Sequence, residues 1–207
     1  MLFNQLWELK AGVSAPAIIS NTRNRWFISD THFFHEKVLT FKDDAGKLIR
    51  GDKFSCVEEM NEIMVERWNA RIKPGDKVWH LGDVVLGVEG KDYKTIVHTL
   101  LNRLNGHKDL VIGNHDKIKN AILHNHFHRM ELWKVYNHSD QQAPFTLSHI
   151  PLRIDQMRGG SCINVHGHIH QNMIEDPRYI NVCVEHTNYA PVHIDEIYEI
   201  ARQRGLI

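Results

Sequence analysis

Seven side chains able to donate nitrogen or oxygen to a metal recur at one kind of place in this sequence, just after a short apolar run. Asp30 and His32 follow Trp26-Phe27-Ile28-Ser29. Asp83 follows Val78-Trp79-His80-Leu81-Gly82. Asn114 follows Val111-Ile112-Gly113, with His115 and Asp116 beside it. His149 follows Phe145-Thr146-Leu147-Ser148, and His166 and His168 follow Ile163-Asn164-Val165. The set holds two carboxylates, one amide oxygen and four imidazoles. That is too many ligands for one ion of low coordination number, and it suits two ions if one carboxylate bridges. Two divalent ions about 3.5–4 Å apart clamp a phosphoryl group and lower the pKa of a bound water. Imidazole and carboxylate without thiolate point to Mn, Fe, Zn or Ni.

Elements must bring these residues together. The runs at 25–29, 77–81 and 108–112 read as strands. Between the first two, Ser55 with Glu58 predicts a capping box. A helix follows it, with Val57, Met60, Ile63, Met64 and Trp68 at helical spacing. Residues 92–104 predict a second helix with Ile96, Leu100 and Leu104 on one face, and 117–125 a third, capped by Asp116. Strand, helix, strand, helix, strand implies right-handed crossovers and parallel pairing. Parallel strands place their C-terminal ends on one edge, where sites in open α/β sheets form. Beyond the third helix the chain reads as β-rich. Strands are predicted at 131–136, 144–148, 161–165 and 179–184, forming a second sheet packed on the first. Ile194, Ile197, Ile200 and Ala201 predict a closing helix. Segment 2–9 reads as a short strand or a helical turn, and 16–20 as another strand.

Composition bounds the rest. The 207 residues are 42% hydrophobic, enough for one core, so a single domain over 1–207 is expected. Lys+Arg and Asp+Glu are 25 each, which gives no support for an extended nucleic-acid groove. Cys56, Cys162 and Cys183 form no CxxC pair, which argues against a disulfide framework and favours a reducing compartment. The first residues lack a signal peptide's basic and apolar regions, and no run approaches the roughly 20 apolar residues of a membrane span. A cytoplasmic protein without membrane contact is expected.

Asp30-x-His32, Gly82-Asp83, Gly113-Asn114-His115-Asp116, His149 and His166-Gly167-His168 together resemble, in order and rough spacing, the motifs of the calcineurin-like metallophosphoesterase superfamily. Phe27 to Phe33, Arg67-Trp68-Asn69 and His80 to Asp83 are similar to a branch of small bacterial and phage phosphoesterases. The resemblance implies two facing mixed β-sheets flanked by helices, a four-layer αββα sandwich. It implies two divalent ions, manganese foremost. Asp30, His32 and His168 would hold one, and Asn114, His149 and His166 the other, with Asp83 bridging. A hydroxide between the ions would attack phosphorus. His115 would serve the leaving oxygen as general acid, with Asp116 orienting its ring. The implied activity is phosphoester hydrolysis, with a phosphodiesterase on a nucleotide or other small phosphoester favoured. A phosphomonoesterase or nuclease with the same site is the alternative, and a non-catalytic metal-binding scaffold the rival from another class. One departure is that many members carry glycine beside the residue matching His149, where this chain has Ser148 and Ile150.

Other residues have blander readings. His170 continues the His-x-His pattern and reads equally as a supporting residue or as solvated. His80 reads as a hydrogen-bonded structural histidine. His124, His126 and His128 read as solvated surface, Cys183 as core packing, and Glu185 as part of a loop near the site without a direct role. His35, in the loop after the first motif, and Arg153, four residues past His149, are the candidate substrate-binding residues. A guanidinium there could take a phosphate, although arginine is more often a surface group. Oligomeric state has no sequence signal.

Overall fold

The computed structural model describes residues 24–119, 121–137, 144–157 and 163–207. The expected elements at 2–9 and 16–20 lie outside these residues. Nine strands and four α-helices follow in chain order among those described.

The first sheet is built from β1 (Arg25–Ile28), β2 (Lys77–His80), β3 (His107–Val111), β4 (Met130–Glu131) and β9 (Val192–His193). Its order is β4-β3-β2-β1-β9. The first four strands are parallel and β9 is antiparallel to β1. The second sheet has the order β5-β6-β7-β8, with β5 (Trp133–Tyr136), β6 (Phe145–Ser148), β7 (Ile163–His166) and β8 (Tyr179–Asn181). Strands β6, β7 and β8 are parallel, and β5 is antiparallel to β6. The chain is therefore α/β with two mixed sheets.

Alternation along the strands sorts side chains between two cores. Phe27, Trp79 and Val111 face the second sheet and pack with Phe145, Leu147, Ile163, Val165 and Ile180. Trp26, Ile28, Val78 and Leu110 face the other way, toward α1 (Val57–Arg71), α2 (Tyr93–Arg103) and α3 (Ala121–His126). Each such side chain contributes about 1.5–3 kcal/mol by leaving water, so both faces of the first sheet are strongly held. Helix α4 (Ile194–Gln203) joins the inter-sheet core through Ile194, Ile197, Tyr198 and Ala201. Leu152, Ile154, Met157 and Tyr179 form a separate small cluster.

Several local expectations shift. Ser55 meets Glu59, not Glu58: its N–H and Oγ–H both donate to Glu59 Oε2 at 2.6 Å, one position along from a capping box. In α2 the buried positions are Tyr93, Val97, Leu100 and Leu101, and Ile96 faces solvent. Helix α3 begins at Ala121, five residues after Asp116, so Asp116 is not its cap. The expected strand 131–136 is two strands. Met130–Glu131 ends the first sheet and Trp133–Tyr136 edges the second, with the chain crossing between sheets at Leu132, which is 73% exposed.

Candidate metal centre

The two sheets meet where their parallel strands end. Ser29 makes a parallel bridge to Cys183, with its N–H donating to Val182 O at 3.1 Å. Beyond β1 the chain stays beside the loop that leaves β2: Asp30 N–H donates to Gly82 O and His32 N–H to Asp83 O, both at 3.0 Å. Asp30, His32, Asp83, His168 and His170 all have positive φ, between 46° and 73°. Such angles are unfavourable for residues with a Cβ, and strain of this kind gathers at functional sites.

Close approach explains two glycines. A Cβ on Gly113 would overlap Asp83, and one on Gly167 would overlap Ser29 Oγ and Asp30 Oδ2. Gly167→Ala is expected to destabilise the protein by about 1–3 kcal/mol, the usual result of overpacking. A denaturant titration would show it, and an unchanged midpoint would refute the tight packing.

Asp30 is fully buried. Its Oδ2 accepts from Ser29 Oγ at 2.6 Å, His168 N at 2.8 Å and Cys183 Sγ at 3.2 Å. Its Oδ1 is buried with no hydrogen-bond partner, as are both ring nitrogens of His32. Burial pushes the Asp30 pKa up, but His32, His149, His170 and Ser29 outweigh it and hold the carboxyl far below its usual range. Asp83 Oδ1 accepts from His115 N at 2.8 Å, and its Oδ2 lies 3.4 Å from His149 Nε2 and 3.7 Å from His32 Nε2. Burial raises this carboxyl too, and His149 above all turns the balance downward. The Oδ2 atom therefore faces both histidines.

Among the described residues, two groups could each hold a metal ion: Asp30 with His32 and His170, and Asp30 with Asp83 and His149. The donor atoms of each group lie within 4.8 Å of one another. Asn114 Oδ1 is 2.8 Å from His149 Nε2. His149 Nδ1 lies 2.8 Å from Leu81 O, a carbonyl that can only accept, so Nδ1 carries a proton. In neutral His149 the Nε2 lone pair then points at two oxygens, Asn114 Oδ1 and Asp83 Oδ2. An acceptor facing acceptors calls for a positive charge between them or on the ring. Burial lowers the His149 pKa, and Asp83 and Asp30 more than restore it. Unpartnered Asp30 Oδ1 and His32 nitrogens, together with this arrangement, fit a centre for divalent cations.

The structure corrects several assignments. His170, not His168, joins Asp30 and His32: its Nε2 is 3.8 Å from Asp30 Oδ1 and its ring stacks on His32 at 5.1 Å. His168 lies against His149 instead, with ring centroids 5.0 Å apart. His166, expected as a ligand, falls outside both groups. It is the last residue of β7, on the face opposite Val165, with its ring 5.8 Å from Tyr179 and its buried Nε2 unpartnered. The cause is the backbone. Strand alternation ends at His166, and the positive φ of His168 and His170 re-aims both side chains.

Asp116 does not orient the His115 ring. Its carboxylate accepts from the N–H groups of Asp83 (3.0 Å), Val84 (3.0 Å) and Gly113 (2.8 Å), tying the loops after β2 and β3 together. His115 is exposed, with its ring 5.8 Å from that of His32. His35 is half-buried with its ring 5.6 Å from His32. Arg153 lies outside both donor groups. Its side chain is 80% exposed and its Nε and Nη2 donate to Asp155. His80 is buried, bonded to Thr31 Oγ1 at 3.0 Å and accepting from Gly82 N at 3.2 Å. Burial drives its pKa down to about 3. His126 pairs at 2.9 Å with His98 from α2, a partner sequence order hides.

Two residues behind the centre take supporting roles: Arg50, which the sequence does not single out, and Glu185, whose loop is expected near the site without a direct role. Arg50, from the loop before α1, is fully buried. It donates to Thr31 O at 3.1 Å, Asp30 O at 2.7 Å and Glu185 Oε1 at 2.8 Å. Glu185 Oε1 also lies 2.8 Å from His170 Nδ1.

Fold and site together define an α/β protein with a buried Asp/His cluster that could hold a metal ion. The chain is 31% identical over 192 residues to Uncharacterized protein MJ1445 of Methanocaldococcus jannaschii, covering 89% of this chain and 95% of that protein, and it belongs to that protein's family. It is also similar to the Gene 66 protein of Mycobacterium phage L5, 27% identical over 207 residues, covering 86% of this chain and 93% of that protein. The Gene 66 protein of Mycobacterium phage D29 is likewise 27% identical, over 203 residues, covering 86% and 95%. A crystal structure of the protein of unknown function AQ665 from Aquifex aeolicus matches with a TM-score of 0.64 at 26% identity, covering 85% of this chain and 98% of that one. No family model matches the chain.

Proposed function

We propose that this protein is a calcineurin-like metallophosphoesterase, a dinuclear metal-dependent phosphodiesterase acting on a nucleotide or another small phosphoester in the cytoplasm. The observation that carries the reading is the pair of overlapping donor groups that share Asp30 and face each other across Asp83 Oδ2. The αββα arrangement belongs to the same proposal.

Asp30, His32 and His170 would hold one divalent ion. His149 and Asn114 would hold the other, with His168 beside them and Asp83 shared. Ions bound there would neutralise phosphoryl charge and lower the pKa of water, with manganese foremost and iron, zinc or nickel also suited. The chain's own part is positioning and proton handling. Ser29, Cys183 and the His168 N–H hold Asp30 Oδ2, leaving Oδ1 for the centre. The Asp83–His115 backbone bond fixes the base of His115, which leaves its exposed ring free to protonate a leaving oxygen. His35 lines the same side and is placed to meet the substrate.

The test is hydrolysis with and without metal. With Mn2+ the protein is expected to hydrolyse bis(p-nitrophenyl) phosphate faster than p-nitrophenyl phosphate. Chelation should abolish turnover, and added Mn2+ should restore it. A protein that binds the metal yet hydrolyses no phosphoester in a broad panel would be a metal-binding scaffold.

A further inference from the structure

The two halves of the proposed centre are supported differently. His149 presents its outer nitrogen to a neutral group, the Leu81 carbonyl, at 2.8 Å. His170 presents its Nδ1 to a carboxylate, Glu185 Oε1, also at 2.8 Å. The same oxygen accepts from the Arg50 guanidinium, and a carboxylate paired in this way only accepts, so Nδ1 carries the proton and the Nε2 lone pair is left for the side of Asp30 and His32.

Arg50 makes this carboxylate tenable. Its Nη2 lies 2.6 Å from Glu185 Oε1, with side chains 0% and 4% exposed. The same guanidinium donates to the carbonyls of Asp30 and Thr31, so one buried cation ties the ligand-bearing loop to the group that orients His170. Desolvating such a pair costs several kcal/mol per ion, and an apolar pair of similar volume often serves stability equally well. Stability alone therefore does not account for Arg50 and Glu185. Orientation of a metal-ligating histidine does, because a carboxylate on the outer nitrogen fixes the tautomer and raises the basicity of the inner one.

We infer that Glu185, charge-balanced by Arg50, is a positioning residue that makes the Asp30–His32–His170 position the tighter of two unequal metal positions. The inference rests on the metal centre proposed above. It concerns affinity, and its readout is metal binding rather than turnover.

The experiment is calorimetric titration of the metal-free full chain with Mn2+. The native protein is expected to show a tight and a weaker step. Glu185→Gln keeps an acceptor for His170 but loses the charge, and should weaken the tight step about 10- to 100-fold with the weaker step unchanged. That variant strands the Arg50 guanidinium, so the double variant Arg50→Met/Glu185→Gln, which removes both charges, should give the same selective loss in a folded protein. An unchanged tight step in the double variant overturns the inference. So does equal weakening of both steps, which is the mark of general loosening. A native protein that takes up no Mn2+ overturns the metal centre itself.

Discussion

Asp83→Asn is expected to lower turnover by about 10³-fold and to reduce bound metal in the same sample. The substitution is chosen for the backbone. Asp83 has φ of 57°, a conformation asparagine tolerates and alanine does not. Asparagine also keeps an oxygen for the His115 N–H that Oδ1 accepts at 2.8 Å. What it removes is the negative charge that faces His32 and His149 from Oδ2. Losing one partner of a buried charged cluster costs about 3–5 kcal/mol, and each 1.4 kcal/mol is a factor of about ten. Elemental analysis beside a steady-state assay checks both halves of the expectation. Full metal content with full turnover would remove Asp83 from the centre.

The strand ends were legible because one signal marks them all: an apolar run that stops at a polar residue. That placed Asp30, His32, Asp83, Asn114 and His149 at a common edge, where the structure has them. Past a strand end the signal fails. His166, His168 and His170 share a two-residue spacing, so the sequence reads them as equivalent. Positive φ at His168 and His170 then sends the three rings to three places, and no residue type announces such angles except glycine or asparagine. Leu132 hides a second kind of event. An unbroken strand-like run from 131 to 136 crosses from one sheet to the other, and periodicity does not record which sheet a strand joins. Arg50 was illegible for a simpler reason. Arginine is ordinarily exposed, and only the fold shows it buried 20 residues past the carbonyl it binds and 135 residues before its carboxylate. Asp116 stood in the right place with the wrong task, since three backbone N–H groups claim its carboxylate before the His115 ring can.

That reassignment sharpens what His115 should do. With Asp116 engaged elsewhere, the His115 ring is anchored only through its own backbone, at the Asp83 Oδ1 contact. It touches neither donor group as a ligand. His115→Ala should therefore leave metal content unchanged while removing a proton donor. General acid catalysis supplies about 10²–10⁴ in rate, and the loss should depend on the leaving group. Bis(p-nitrophenyl) phosphate releases a phenolate that is stable without a proton, so its hydrolysis should fall little. An alkyl diester releases an alkoxide that needs the proton, so its hydrolysis should fall by the full factor. Comparing the two substrates across the native protein and the variant separates proton donation from loss of structure, which would lower both alike. A variant fully active on the alkyl diester would end the acid role. It would leave the metal centre as the whole of the catalytic machinery, since no other exposed ring has its backbone bonded to Asp83 among the described residues.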